Sequence, residues 1–201
     1  MQLSTSHFPR RALPALAIAL LTAVPASASE RFAFSDKGPN IITRPGQYVF
    51  RHAVRTTGDG PAVVIDADNV TLDLDGYSLS GPGGKTSVGI AVEGHRNVRI
   101  RNGHIASFGT AVRIVDAGGV DISDLVITGE DQPAGPPEVG ILALNSRGLR
   151  ITGNTVARTF LGIFVRGGGS GANTIKSNTV AGAQNGQLGI CYNPAPGADG
   201  A

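Results

Sequence analysis

Gly89-Ile90-Ala91-Val92, followed a few residues on by Asn97-Val98-Arg99-Ile100-Arg101-Asn102-Gly103-His104-Ile105, carries two short runs in which aliphatic residues alternate with other types. Period-two alternation rich in β-branched residues marks strands with one buried face, and runs this short, broken by Gly and Asn, do not make ordinary helices. The same unit recurs. A small residue followed by an aliphatic one returns at Ala62-Val63, Gly89-Ile90, Ala111-Val112, Gly140-Ile141, Gly162-Ile163 and Gly189-Ile190, and the last four intervals are 22, 29, 22 and 27 residues. Apolar pairs five apart recur independently as Leu74/Leu79, Ile100/Ile105, Ile122/Ile127, Ile151/Val156 and Ile175/Val180. A constant inner spacing beside a drifting outer one describes a solenoid of about 22 residues per turn, with insertions at its corners. The expected fold is all-β: a parallel β-helix of about five to six rungs, three strands per turn, each stacked ~4.8 Å above its equivalent.

The polar positions are read in the same register. The residue before the second-strand anchor is Asp73, Arg99, Asp121 and Arg150 in successive copies, so stacked side chains alternate in sign. Opposite-charge neighbours on a sheet contribute roughly 0.2–1 kcal/mol each. The next outward column reads Asp75, Arg101, Ser123, Thr152 and Lys176, which puts Asp73 and Asp75 on one outward face. Asn154 and Asn178 fall at equivalent turn positions, where Asn tolerates left-handed backbone and can form an amide ladder. One outward column, Val64, Ala91, Arg113, Leu142, Phe164 and Cys191, is largely apolar, which calls for a cover: the N-terminal segment, a loop or another molecule.

The chain opens with Arg10-Arg11, an apolar stretch from Ala12 to Val24 and the small-x-small triplet Ala26-Ser27-Ala28, the order of a secretory signal peptide over residues 1–28. That segment holds two of the 17 basic residues and none of the 15 acidic ones, so the remainder is formally neutral at 15 against 15. A neutral surface supplies no field for phosphates, which argues against a nucleic-acid partner. No later apolar run reaches the ~20 residues of a membrane span. Cys191 is the single cysteine, so no disulfide forms within the chain. The expected organisation is a signal peptide (1–28), an N-terminal cover (29–58), β-helix repeats (59–193) and a flexible tail (194–201). The expected location is secreted or periplasmic.

The unit at 89–105 resembles that of the right-handed parallel β-helix repeat proteins of the pectin-lyase-like superfamily. The stretch Ile65-Asp66-Ala67-Asp68-Asn69-Val70-Thr71-Leu72-Asp73-Leu74-Asp75-Gly76 is similar to the opening rungs of many exported members. The resemblance covers roughly residues 40–193 and implies right-handed crossings. It also implies a range of functions, because the superfamily holds polysaccharide lyases, hydrolases, epimerases, adhesins and members without known activity. Lyases of this kind would bring a carboxylate cluster holding Ca²⁺ and a basic residue as base, and the hydrolases several Asp on one face.

Neither constellation is complete in this sequence. Asp66 and Asp68 read as stabilisers of a bend, and the Asp-Pro-His stretch of alginate epimerases is missing. His52, His95 and His104 share no ligand spacing, so no metal site and no cofactor are expected. Insertions at 80–88 and 129–138 fall at one corner and carry Lys85, Glu130, Asp131 and Glu138, the candidate ligand-binding residues. Gly167-Gly168-Gly169-Ser170-Gly171 lies at a different corner. The reading that follows is an exported, non-catalytic module for a polysaccharide or another envelope protein, with oligomers possible through the solenoid end. The alternatives are a lyase-like or hydrolase-like carbohydrate-active enzyme and a periplasmic accessory protein for metal assembly.

Overall fold

The computed structural model describes residues 33–130, 138–168, 173–182 and 189–193. The expected signal peptide, the tail at 194–201, Asp131 and most of the glycine-rich loop fall outside them. The described residues form a parallel β-solenoid of about six turns without a helix. One sheet stacks the first strand of every turn: β1 (Asn40–Ile42), β4 (Pro61–Ile65), β7 (Val88–Glu93), β9 (Thr110–Val115), β11 (Val139–Leu144), β14 (Leu161–Arg166) and β17 (Ile190–Asn193). The second sheet stacks β2 (Gly46–Val49), β5 (Val70–Asp73), β8 (Arg99–Ala106), β10 (Asp121–Thr128), β12 (Arg150–Thr152) and β15 (Thr174–Lys176). The third-strand positions are β3 (Val54–Arg55), β6 (Ser78–Ser80), the far halves of β8 and β10, β13 (Thr155–Ala157) and β16 (Thr179–Ala181).

The repeat read from the sequence is the register of the coil. Val63, Ile90, Val112, Ile141, Ile163 and Ile190 stand in one column. Ile100, Ile122, Ile151 and Ile175 stand in a second, and Ile105, Ile127, Val156 and Val180 in a third. These columns fill the interior as a single apolar core. At its N-terminal end, within the segment expected as a cover, β1–β3 make a turn of their own. Asn40 occupies the inward place below Val63 and bonds Ser35 and Ala62, while Phe34 packs on Phe50 with ring centroids 4.1 Å apart. At the other end the columns emerge into solvent: Ile190 and Tyr192 are 48% and 47% exposed.

The corners explain the Asn, Asp and Gly residues. Asn69, Asn97, Gly119 and Gly148 stack at one corner with φ between 56° and 63°. Left-handed backbone suits Gly, and Asn among residues with a side chain. Asn97 also donates from Nδ2 to Asn69 Oδ1 at 3.1 Å. Asn154 and Asn178 do form an amide ladder, Nδ2 to Oδ1 at 3.0 Å, but the left-handed residues are their predecessors, Gly153 and Ser177. Asn154 itself is buried; it accepts from Leu125 N–H and donates to Ile122 C=O.

One expected register is corrected. Leu72, not Leu74, stacks beneath Ile100, so Asp73 faces Arg101, and Thr71 stands below Arg99. The cause is a tight turn, Leu74-Asp75-Gly76-Tyr77, closed by Tyr77 N–H to Leu74 C=O at 2.8 Å with positive φ at both Asp75 and Gly76. It inserts two residues at that corner, so the five-residue spacing of Leu74 and Leu79 imitates the repeat without belonging to it. Leu74 instead fills the corner beneath Gly103, where an added Cβ would lie 2.3 Å from Leu74 Cβ. Asp75 leaves the outward face and donates its N–H to Asp73 Oδ1. Charge alternation survives as Arg99, Asp121 and Arg150 in one column and as Asp73 and Arg101 in the next.

Asn154→Ala orphans a buried N–H and a buried C=O, each costing about 1–3 kcal/mol. Urea unfolding should therefore show a loss of several kcal/mol for Asn154→Ala and a smaller one for the less buried Asn178→Ala.

Candidate functional site

The corner picked out in the sequence is held together mainly by main-chain contacts. Glu138 is buried, and its Oε2 accepts the Glu130 N–H at 2.8 Å. Glu130 is half-buried, with its carboxylate over Gly83 on the neighbouring insertion, close enough that a Cβ there would be 2.7 Å from Oε2. Lys85 is exposed on that insertion and its carbonyl lies against Gly109. Glu130 and Glu138 are thus brought together, and the Glu138 carboxylate fastens the loop to the coil. Lys85 makes no ion pair among the described residues.

A second cluster lies at the corner between the first and second strands. His95 reaches back one turn, with Nδ1 3.0 Å from Asp68 Oδ1 and Nε2 3.1 Å from Asp66 Oδ1. Asp68 also accepts the Arg96 N–H at 2.9 Å. That backbone bond, with the bond to His95, holds the Asp68 carboxyl below its ordinary range. The sequence separates these residues by 27 to 29 positions, and only the stacking of turns two and three joins them. A neutral imidazole has one N–H, so it donates to both carboxylates only when protonated. In this arrangement neither ring nitrogen is left for a substrate proton or a metal.

Other carboxylates are engaged in the same way. Asp73 accepts from Arg101 Nε at 2.9 Å and from Asn102 Nδ2 at 3.1 Å. Asp121 lies 3.7 Å from Arg99, and Glu93 pairs with Arg113 at 2.6 Å. His52 and His104 are exposed, and no group of three His, Cys, Asp or Glu among the described residues is placed to hold a metal ion.

Beside the His95 cluster is an open groove of about 390 Å³ lined by Arg96, Asp116, Gly118, Asn145 and Arg147. Parallel bridges join Arg96 to Gly118 and Gly118 to Arg147, so two arginines stand two turns apart, roughly 10 Å, with a residue lacking a side chain between them. Both are exposed and neither makes an ion pair among the described residues. A usable signal was present in the sequence: each of these three residues stands four positions before the second-strand anchors Ile100, Ile122 and Ile151. Chemically the groove offers two guanidiniums to anionic or hydroxylated groups, with a carboxylate and an amide beside them.

Because the folded-state pKa of Asp68 is depressed, its contribution to stability is present above about pH 4 and is lost as pH falls through the lowered value. Thermal unfolding of wild type and Asp68→Asn should differ at pH 6 and converge as the pH drops below that range. An unchanged gap at pH 2 would contradict the assigned contacts.

Compared with known proteins, residues 62–197 match a family model described as a right-handed beta helix region. No curated protein and no solved structure gives a match. The family match spans the stacked turns from β4 onward and leaves out the first turn, β1–β3, and the chain belongs to the right-handed β-helix family.

Proposed function

We propose that this protein is an exported β-helix that works as a non-catalytic binding module at the cell envelope, with a glycan as its ligand. The observation that carries the reading is the engagement of its polar residues. His95 is bonded at both nitrogens by Asp66 and Asp68 of the preceding turn, and Asp73, Asp121 and Glu93 each face an arginine of a neighbouring turn. General acid–base catalysis needs a group free to reach the reacting proton, and these are not. By contrast, Arg96 and Arg147 are exposed without ion pairs among the described residues, on a rigid coil that holds their spacing. Export is supported by the order of basic, apolar and small residues in 1–28. Lys85 and Glu130, on the loops of another corner, are secondary contacts in this reading.

Calorimetric titration with oligosaccharides of envelope glycans should give binding that Arg96→Ala and Arg147→Ala each weaken about tenfold, ~1.4 kcal/mol. The same glycans should remain uncleaved with and without Ca²⁺. Appearance of unsaturated or shortened products, abolished by changing Lys85 or Glu130, would instead establish a carbohydrate-active enzyme.

A further inference from the structure

The outer face of the first-strand sheet has a pattern that the binding reading does not use. Its central column is Ile41, Val64, Ala91, Arg113, Leu142, Phe164 and Cys191, now fixed by strand register, and Ile41 at its end is 46% exposed. Over four turns the neighbouring outward column runs Glu93, Val115, Leu144 and Arg166, and Asn193 follows Arg166. Read along the stack, those four turns are acid, apolar, apolar, base. Such an order is complementary to its own reverse. The central column has the same property in shape. Around the small Ala91 lies a hollow of about 290 Å³ bounded by Pro61, Val64, Glu93 and Arg113, and Phe164 projects from the same column three turns further on.

We propose that this face is the interface between two copies of the chain, related by a twofold axis lying in the face, parallel to the strands and between β9 and β11. That operation keeps each residue's position along the strand and reverses the order of turns. Glu93, whose carboxylate already pairs with Arg113 of its own chain, then also meets Arg166 of the second copy, Val115 meets Leu144, and Phe164 enters the hollow at Ala91. Each contact occurs twice, as an isologous interface requires. Charge complementarity in the outward column selects a second copy over a partner of other chemistry. The face measures roughly 29 Å by 17 Å, or about 1,000 Å² over both copies, the lower limit for a specific interface. A reversible dimer with micromolar dissociation is therefore expected.

The operation also places Val64 opposite Cys191 of the second copy, since β4 faces β17. Within one chain these positions are five turns, ~24 Å, apart and cannot be bridged. The purified protein is examined by sedimentation velocity across a concentration series, and the Val64→Cys variant by non-reducing electrophoresis after mild oxidation. The expected results are concentration-dependent dimers and a covalent dimer for Val64→Cys that wild type does not form. Arg166→Glu should weaken the dimer at least tenfold, and Glu93→Arg added to it should restore association. A monomer at every concentration, as expected if another part of the same chain were the cover, would overturn the proposal. So would a dimer indifferent to Arg166→Glu, which would place the contact at the solenoid end.

Discussion

Everything in this molecule is subordinate to the backbone ladder between turns. The backbone N–H and C=O groups of the strands bond the equivalent strands of adjacent turns, so strand residues stand directly above and below their counterparts. That constraint acts inward and outward. Inward, a column tolerates only residues that pack on themselves, hence the stacks of Ile, Val and Leu. Outward, like charges in a column repel at short range, and Arg99, Asp121 and Arg150 alternate accordingly.

The ladder governs the corners as well. A turn of the coil must bend between strands without losing stacking, and it does so by repeating a left-handed residue at equivalent positions. Asn and Gly share that place at 69, 97, 119 and 148. Where a side chain at a corner finds a counterpart, it joins the ladder, as Asn69 with Asn97 and Asn154 with Asn178. The His95, Asp66 and Asp68 cluster obeys the same logic, one turn's imidazole answering two carboxylates of the turn before. Residues that look reactive in the sequence are thereby committed to holding turns together, and the Arg96–Arg147 groove stands out because its glycine breaks a column rather than continuing it.

Fold, number of turns and most of the register were legible in the sequence, because aliphatic period and turn length are local signals. The exception at Leu74 is instructive. Spacing alone cannot tell a strand anchor from a corner residue; the strand register and the tight turn at Leu74-Asp75-Gly76-Tyr77 reveal which one Leu74 is. The outward face Val64 to Cys191 was readable for the same reason as the core, since alternation fixes both sides of a strand. The site was less legible. Loop charges at Lys85, Glu130 and Glu138 drew attention because insertions are conspicuous, yet Glu138 is buried against main chain. The His95 cluster depends on contacts across 27 to 29 residues that no local pattern announces.

The central claim, that stacked turns pair specific polar residues in a defined register, is tested most directly by a double-mutant cycle on Asp73 and Arg101. Urea unfolding of wild type, Asp73→Ala, Arg101→Ala and the double variant should give a coupling of about 0.5–1 kcal/mol, the range for partly exposed ion pairs with good geometry. The same cycle on Asp73 and Arg99 should give a coupling near zero. Coupling at Arg99 instead of Arg101 would shift the second sheet by two residues and contradict the register on which the account rests.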